Sequence, residues 1–288
     1  MAYHLKLCDW VANTCLQLWK EIGNNSMKPA DIALYSLDNV TALSEKGGAT
    51  LSAYYTNFLQ NDREYYADSY NLVHREVSEI LAKQPDLRIL DIGSGCGTES
   101  IFFAHFSKYV KGIDVNQNRL NCARERLEKH FPDLVDNLKF QYKSILDIDE
   151  KEKFDLIWMN QAFHHMEPRE EVVKKIGQIA ADNCVVIFAE CNALNPLIQL
   201  RLFKRRGFNT IADYVDELGV KRPYGNERVL SPSRLQRHMQ AIKFRRLENN
   251  YFRVMPNNKK YQAIEAALHK TKLPPFCFTH YNSIFIPQ

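Results

Sequence analysis

The stretch Ile89-Leu90-Asp91-Ile92-Gly93-Ser94-Gly95-Cys96-Gly97-Thr98-Glu99 decides the fold. Its apolar start reads as a buried strand, three glycines follow at alternate positions, and Thr98 opens a helix. Glycine suits this place because the turn is tight and a ligand can approach a backbone that carries no Cβ. The new helix points free amides at whatever sits on the turn. Many strand-to-helix turns are glycine-rich for steric reasons alone, so the next strand matters. Val110-Lys111-Gly112-Ile113-Asp114 ends on a carboxylate seventeen residues after Gly97, where such a group accepts hydrogen bonds from a ribose diol. Capping of the following helix is the plainer role for Asp114, and the glycine turn beside it favours ribose.

Outward from this motif, short apolar runs at 88–92, 109–113, 138–142, 154–159 and 184–190 alternate with helical stretches at 98–106, 118–130 and 170–181. Strand and helix in alternation mean crossover units and a doubly wound, mostly parallel α/β sheet covered on both faces. Residues 1–86 read as a helical N-terminal extension, with an apolar stripe from Leu7 to Ile22 and a second helix from about Arg63 to Lys83. Residues 87–190 form the cofactor-binding core. Residues 191–243 are too long for one crossover and read as a helical cap inserted after the fifth strand. Residues 244–288 supply the last two of seven strands, at 244–254 and 280–286, with a helix between them from about Lys259 to Lys270.

Composition excludes disorder, collagen and low complexity: 288 residues, 45% apolar and 25% charged, can bury a sizeable core. No apolar run reaches membrane-spanning length, and Lys6 and Asp9 interrupt the place where a signal peptide has its apolar core. The expected compartment is the cytoplasm. Seven cysteines without a C-x-x-C pair argue against a disulfide framework or a zinc site, and no metal is expected. The net charge of +4 is mild, but residues 201–253 hold thirteen Lys and Arg against five Asp and Glu, a local +8. A solvated face is the plain reading of that excess. The sharper one is a cap that recognises an anionic acceptor or carrier, such as a phosphorylated compound, an acyl-carrier thioester or a lipid surface.

The third glycine arrives one residue earlier than in a dinucleotide fingerprint, and Asp91 precedes the first. With Asp114, this arrangement resembles the class I methyltransferases that use S-adenosylmethionine, over roughly residues 87 to 190. The resemblance implies a Rossmann-like sheet. It also implies that Asp91 and the backbone of Gly93, Ser94, Gly95 and Gly97 surround the methionine part of the cofactor. Asp114 then holds the ribose and Val115 flanks the adenine. Lys143-Ser144-Ile145-Leu146 resembles the family's adenine-side loop, with Ser144 where an acidic residue is usual. Phe154 to His165 resembles the fourth strand and following loop of the small-molecule members, which puts Asn160 and Gln161 at the crevice where strand order reverses. The D/N-P-P-Y signature of amino-methylating nucleic-acid enzymes is absent from Met159-Asn160-Gln161-Ala162.

His164 and His165 read first as loop-packing residues, because adjacent side chains diverge and cannot easily share an ion. His165 is also the candidate general base. Glu190, at the end of the fifth strand, either hydrogen-bonds the substrate or anchors the cap. The tyrosines at 54, 55, 65, 66 and 70 are candidates to cover the cofactor, against simple packing. The expected activity is in-line methyl transfer to a small or carrier-bound acceptor. Methylation of RNA or protein, a non-catalytic cofactor-binding partner subunit and a nicotinamide oxidoreductase are the alternatives. Oligomeric state stays open.

Overall fold

The computed structural model describes residues 27–215, 219, 221–256 and 258–288. The stripe from Leu7 to Ile22 lies outside them. Ahead of the sheet the chain forms helices α1 (Pro29–Asp38), α2 (Glu45–Tyr54), α3 (Thr56–Gln60), α4 (Arg63–Leu72) and α5 (Arg75–Lys83). Side-chain oxygens of Ser44 and Asp62 accept from the Gly47 and Tyr65 amides and start α2 and α4. The single helix expected over 63–83 is broken at Val73-His74. There the amides of Val73 and His74 donate to Tyr70 O and Asn71 O, three residues back, and the tightened turn lays the His74 ring 5.5 Å from that of Trp158.

The core follows as β1 (Arg88–Ile92), α6 (Thr98–Ala104), β2 (Tyr109–Asp114), α7 (Gln117–His130), β3 (Leu138–Tyr142), β4 (Phe154–Asn160), α8 (Arg169–Ile179) and β5 (Ala180–Cys191). Then come α9 (Pro196–Arg206), β6 (Ile211–Val215), β7 (Lys221–Gly225), α10 (Pro232–Gln240), β8 (Phe244–Phe252), α11 (Gln262–His269) and β9 (His280–Pro287). Seven strands form one sheet in the order β3-β2-β1-β4-β5-β9-β8. Strands β1 to β5 are parallel, and β9 runs antiparallel between β5 and β8. This is the doubly wound, Rossmann-like sheet that the alternation of runs predicts.

Alternate side chains feed the two faces. Ile89, Phe102, Leu120, Leu127 and Trp158 fill one apolar layer, while Leu90, Ile157, Val172, Ile176 and Phe188 fill the other. A third cluster joins Leu51, Tyr55 and Phe58 of the N-terminal helices to Cys96 and Cys122, so the extension packs directly on the glycine turn. Strand order reverses between β1 and β4, and the carboxyl ends of β1, β2, β4, β5 and β8 share one rim, the place where open α/β sheets bind ligands.

Residues 191–243 contain a β-hairpin as well as helices. Asn195 caps α9 by accepting from the Leu197 and Ile198 amides, and Pro196 opens it. The β6–β7 hairpin alternates outward Ile211, Asp213 and Val215 with inward Ala212 and Tyr214. Five residues of alternation are too few to stand out in a sequence otherwise read as helix and loop. No helix among the described residues is long and apolar enough to cross a membrane.

Three histidines are held neutral by this packing. Burial pulls His105 and His130 down to about 4, and burial with Arg253 and Arg201 nearby pulls His280 down to about 3. An unfolded histidine titrates near 6.5, so below that pH the unfolded chain binds protons that the folded chain refuses. The stability these rings contribute is complete above about pH 6.5 and is lost as the pH falls towards 4 and 3. We expect a lower urea midpoint at pH 5 than at pH 7.5, with proton uptake on unfolding measured calorimetrically. A midpoint that does not move over this range contradicts the assignment.

Candidate functional site

The amides of Gly93 and Ser94 both donate to Ile113 O, at 2.8 and 3.0 Å, which folds the turn back onto the end of β2. Gly95 N donates to Asp114 Oδ2 at 2.9 Å and Asn116 N to Oδ1 at 2.8 Å. The carboxylate thus fixes the turn while each oxygen keeps a lone pair for a further donor. Burial raises the pKa of Asp114 and these backbone donors oppose it. Gly97 N closes the turn on Ser94 O at 2.8 Å and starts α6.

Space and dihedral angle both require glycine here. Gly93 has φ +79° and a Cβ there would lie 2.6 Å from Ala162 Cβ; Gly95 has φ +54° and its Cβ would lie 2.4 Å from Tyr54 Oη. Ser94 Oγ is buried and has no hydrogen-bond partner among the described residues. A cradle that excludes Cβ atoms, with an unpartnered buried hydroxyl and an anchored carboxylate, fits a polar group bound across the turn.

Carboxylates crowd beneath the turn. Asp91 accepts from Ser100 Oγ at 2.5 Å, and burial together with the neighbouring charge of Glu99 raises its pKa against that bond. Glu99 itself accepts at Oε1 from Tyr70 Oη (2.7 Å), Asn160 Nδ2 (2.9 Å) and His74 Nε2 (3.2 Å). Burial would raise its pKa, but these donors and the charge of His74 hold it at about 2. From the opposite side the fully buried Arg126 donates to Cys96 O, to Thr98 Oγ1 (3.1 Å) and to Ser36 Oγ (3.0 Å), tying α1 to the turn. The Tyr55 hydroxyl is hydrogen-bonded to Thr98 Oγ1.

Of the tyrosines singled out in the sequence, Tyr54, Tyr55 and Tyr70 therefore reach the turn and its acid. Tyr66 packs on Phe58 and Tyr65 lines a separate cavity. That cavity, of about 830 Å³, lies between α4, α5 and the chain after β8, and Arg75, Arg253 and Gln262 also line it. Glu99, His74 and Arg126 were not foreseen. The visible signal for Glu99 is only an acid in the first turn of a helix, which the helix dipole already accounts for.

Val115 is exposed beside Asp114. Ser144 accepts from the Leu146 amide at 3.3 Å and starts a short turn, in which the Ile145 side chain enters the core and its carbonyl accepts from the Ile148 amide at 3.2 Å. Gln161 adopts φ +52°, with its amide on Ala189 O at 2.8 Å and its Oε1 accepting from Cys191 Sγ at 3.2 Å. A left-handed glutamine at a strand end is local strain at the rim.

Glu190 is buried and spends both oxygens within the protein. Oε1 accepts from Phe163 N at 2.8 Å and Oε2 meets His164 Nδ1 at 2.5 Å. Burial opposes a charge on His164, but the carboxylate outweighs it and raises the pKa. Through these two bonds Glu190 acts as an anchor, one of the two roles its strand-end position suggests. It holds the loop that meets the cap, where Arg228 N donates to His164 O at 3.2 Å. His165 is set differently. Its Nδ1 donates to Gly225 O at 2.9 Å, and Tyr224 stacks on the ring with centroids 5.1 Å apart. The carbonyl fixes the tautomer, so the lone pair sits on Nε2. Burial and the charge of His164 lower the His165 pKa.

A switch-point crevice with a glycine turn at β1 and an anchored acid at the end of β2 defines a nucleotide-type cofactor-binding α/β domain. Residues 83–220 match a family model described as a methyltransferase domain. The chain is 36% identical over 83 residues to a mitochondrial ubiquinone biosynthesis O-methyltransferase of Candida albicans, covering 28% of this chain and 25% of that protein. It is 28% identical over 117 residues to an uncharacterized methyltransferase of Staphylococcus carnosus, covering 41% and 52%. The chain thus spans no more than about half the length of these relatives. The N-methyltransferase NodS of Bradyrhizobium japonicum WM9, solved with S-adenosylhomocysteine, shares the fold with TM-score 0.53 at 12% identity over 80% of this chain and 90% of that one. The match over residues 83–220 thus marks a domain similar to that of methyltransferases, in the fold that NodS shares.

Replacing Gly95 by Ala forces a Cβ into the left-handed region, at roughly 1–2 kcal/mol, and pushes it onto Tyr54. We expect the melting midpoint to fall by about 2–8 °C. Placed in a Tyr54→Ala background, the same substitution costs less but not nothing, because the dihedral strain persists. Equal costs in both backgrounds contradict the contact.

Proposed function

We propose that this chain transfers the methyl group of S-adenosylmethionine to a small-molecule acceptor in the cytoplasm. The observation that carries the proposal is the turn at Gly93–Gly97, anchored by Asp114 and holding the unpartnered buried hydroxyl of Ser94. In this reading Asp91, Gly93, Ser94, Gly95 and Gly97 hold the methionine end. Asp114 accepts from the ribose diol with its remaining lone pairs, and Val115, Ser144 and the Ile145 backbone border the adenine. Asn160, oriented by Glu99, and Gln161 line the crevice between cofactor and acceptor. The bound cofactor supplies a methyl group on a positively charged sulfur.

The protein's share is positioning and proton handling. Alignment of two held reactants can remove about 7–11 kcal/mol of barrier, more than a base contributes. His165 Nε2 carries a lone pair in the neutral ring, and the lowered pKa keeps it so through neutral pH. It accepts the acceptor's proton while Glu190 and His164 keep the loop in place. The ubiquinone-pathway relative supports oxygen as the accepting atom. The +8 of residues 201–253 supports an anionic acceptor.

Calorimetry tests the cofactor assignment: Asp114→Asn is expected to weaken S-adenosylhomocysteine binding about tenfold or more, at one lost charge-assisted bond. Unchanged affinity overturns it. With cell extract as acceptor source, His165→Gln is expected to lower S-adenosylhomocysteine production by about 10²–10⁴ with cofactor affinity intact. The native rate should hold from pH 8 to about 6.5 and decline only below, since a base of lowered pKa is protonated late.

A further inference from the structure

We propose that the outer face of the cap docks the protein on an anionic lipid surface. The inference goes beyond the transfer reaction and needs only the cap. On α9, Leu197, Leu200 and Phe203 point outward, and Leu197 is 71% exposed. Phe208, just after the helix, is 90% exposed, with its ring 5.0 Å from that of Phe203. Ile211 and Val215 are exposed on the outward side of the hairpin that follows. Exposed apolar side chains gathered in one place mark an interaction surface.

Cations stand among them. Arg201 and Lys204 lie on α9 beside Leu197 and Leu200, and neither makes an ion pair among the described residues. Among the described residues, Asp213 is engaged by Lys221 at 2.7 Å and Glu227 by Arg205 at 2.9 Å. Among the described residues the surface therefore offers cations without an ion-pair partner, Arg201 and Lys204, together with apolar side chains. A phenylalanine exposed to 90% has no groove around it; it suits insertion into something deformable. Charge complementarity and protrusion together select a bilayer carrying anionic headgroups, where each basic residue near the surface and each inserted side chain adds to binding. On its inward side the same hairpin presents Tyr224 to His165, so a docked cap sets the rim next to the headgroups.

The test is co-sedimentation of the full chain with phosphatidylcholine vesicles containing about one third phosphatidylglycerol, against pure phosphatidylcholine. We expect partitioning about tenfold or more stronger on the anionic vesicles, weakened by salt. Leu197→Ser with Phe208→Ser should cut it about tenfold or more, and Arg201→Gln with Lys204→Gln should remove most of the preference for anionic lipid. S-adenosylhomocysteine affinity and circular dichroism, unchanged in these surface variants, separate this outcome from failure of the fold or of the transfer reading. Absence of binding to anionic vesicles overturns the proposal, as does binding that ignores both pairs of substitutions. Self-association lost with Leu197 and Phe208, without vesicle binding, overturns it in favour of a protein contact.

Discussion

One carboxylate, Asp114, holds the Gly95 and Asn116 amides at once, and the shape of the ligand rim follows from it. The turn it fixes cannot be built from residues with a Cβ, because Gly93 meets Ala162 and Gly95 meets Tyr54. Those two contacts in turn locate the loop after β4 and the end of α2. The cofactor side of the rim and the N-terminal cover are therefore two consequences of a single backbone conformation. An acid that anchors its own loop is already oriented before a ligand arrives, which lowers the ordering cost of binding.

Two further buried carboxylates carry this order outward. Glu99 gathers donors from α4, from the start of α5 and from β4, so Tyr70, His74 and Asn160 are located by one oxygen. Glu190 does the same for the loop holding Phe163 and His164, and through it for the cap. A hydrogen bond to a charged group contributes about 1.5–3 kcal/mol, and stranding a buried charge by removing its partner costs about 3–5 kcal/mol. These groups are scaffolding of high energetic weight. His165, by contrast, meets a carbonyl at Nδ1 and a stacked tyrosine ring, which leaves the lone pair on Nε2.

Sequence reasoning reached what is local. The glycine spacing, the acid at the end of β2 and the alternation of apolar runs are all features within a few residues of one another, and the seven-stranded sheet followed from them. It did not reach partners far apart in the chain. Asn160 lies 61 residues from Glu99, and His165 lies 60 from Gly225. Nothing in the local pattern of either residue encodes that pairing. A strand-end acid such as Glu190 points to the rim and suits either substrate or cap, and the local pattern does not show that His164 meets its carboxylate. The break at Val73-His74 and the β6–β7 hairpin escaped for a related reason: each is set by what packs beneath it, the ring of Trp158 in one case and the loop of His164 in the other.

Every role given to the rim depends on the turn at Gly93–Gly97 being the seat of the cofactor. The most direct measurement is a crystal structure of the full chain with S-adenosylhomocysteine. The predicted result is a ribose diol on the free lone pairs of Asp114, the homocysteine end along Gly93–Gly97 with Ser94 Oγ engaged, and the sulfur facing Asn160 and His165. A ligand bound elsewhere, with the Asp114 carboxylate still occupied by backbone amides alone, would contradict it.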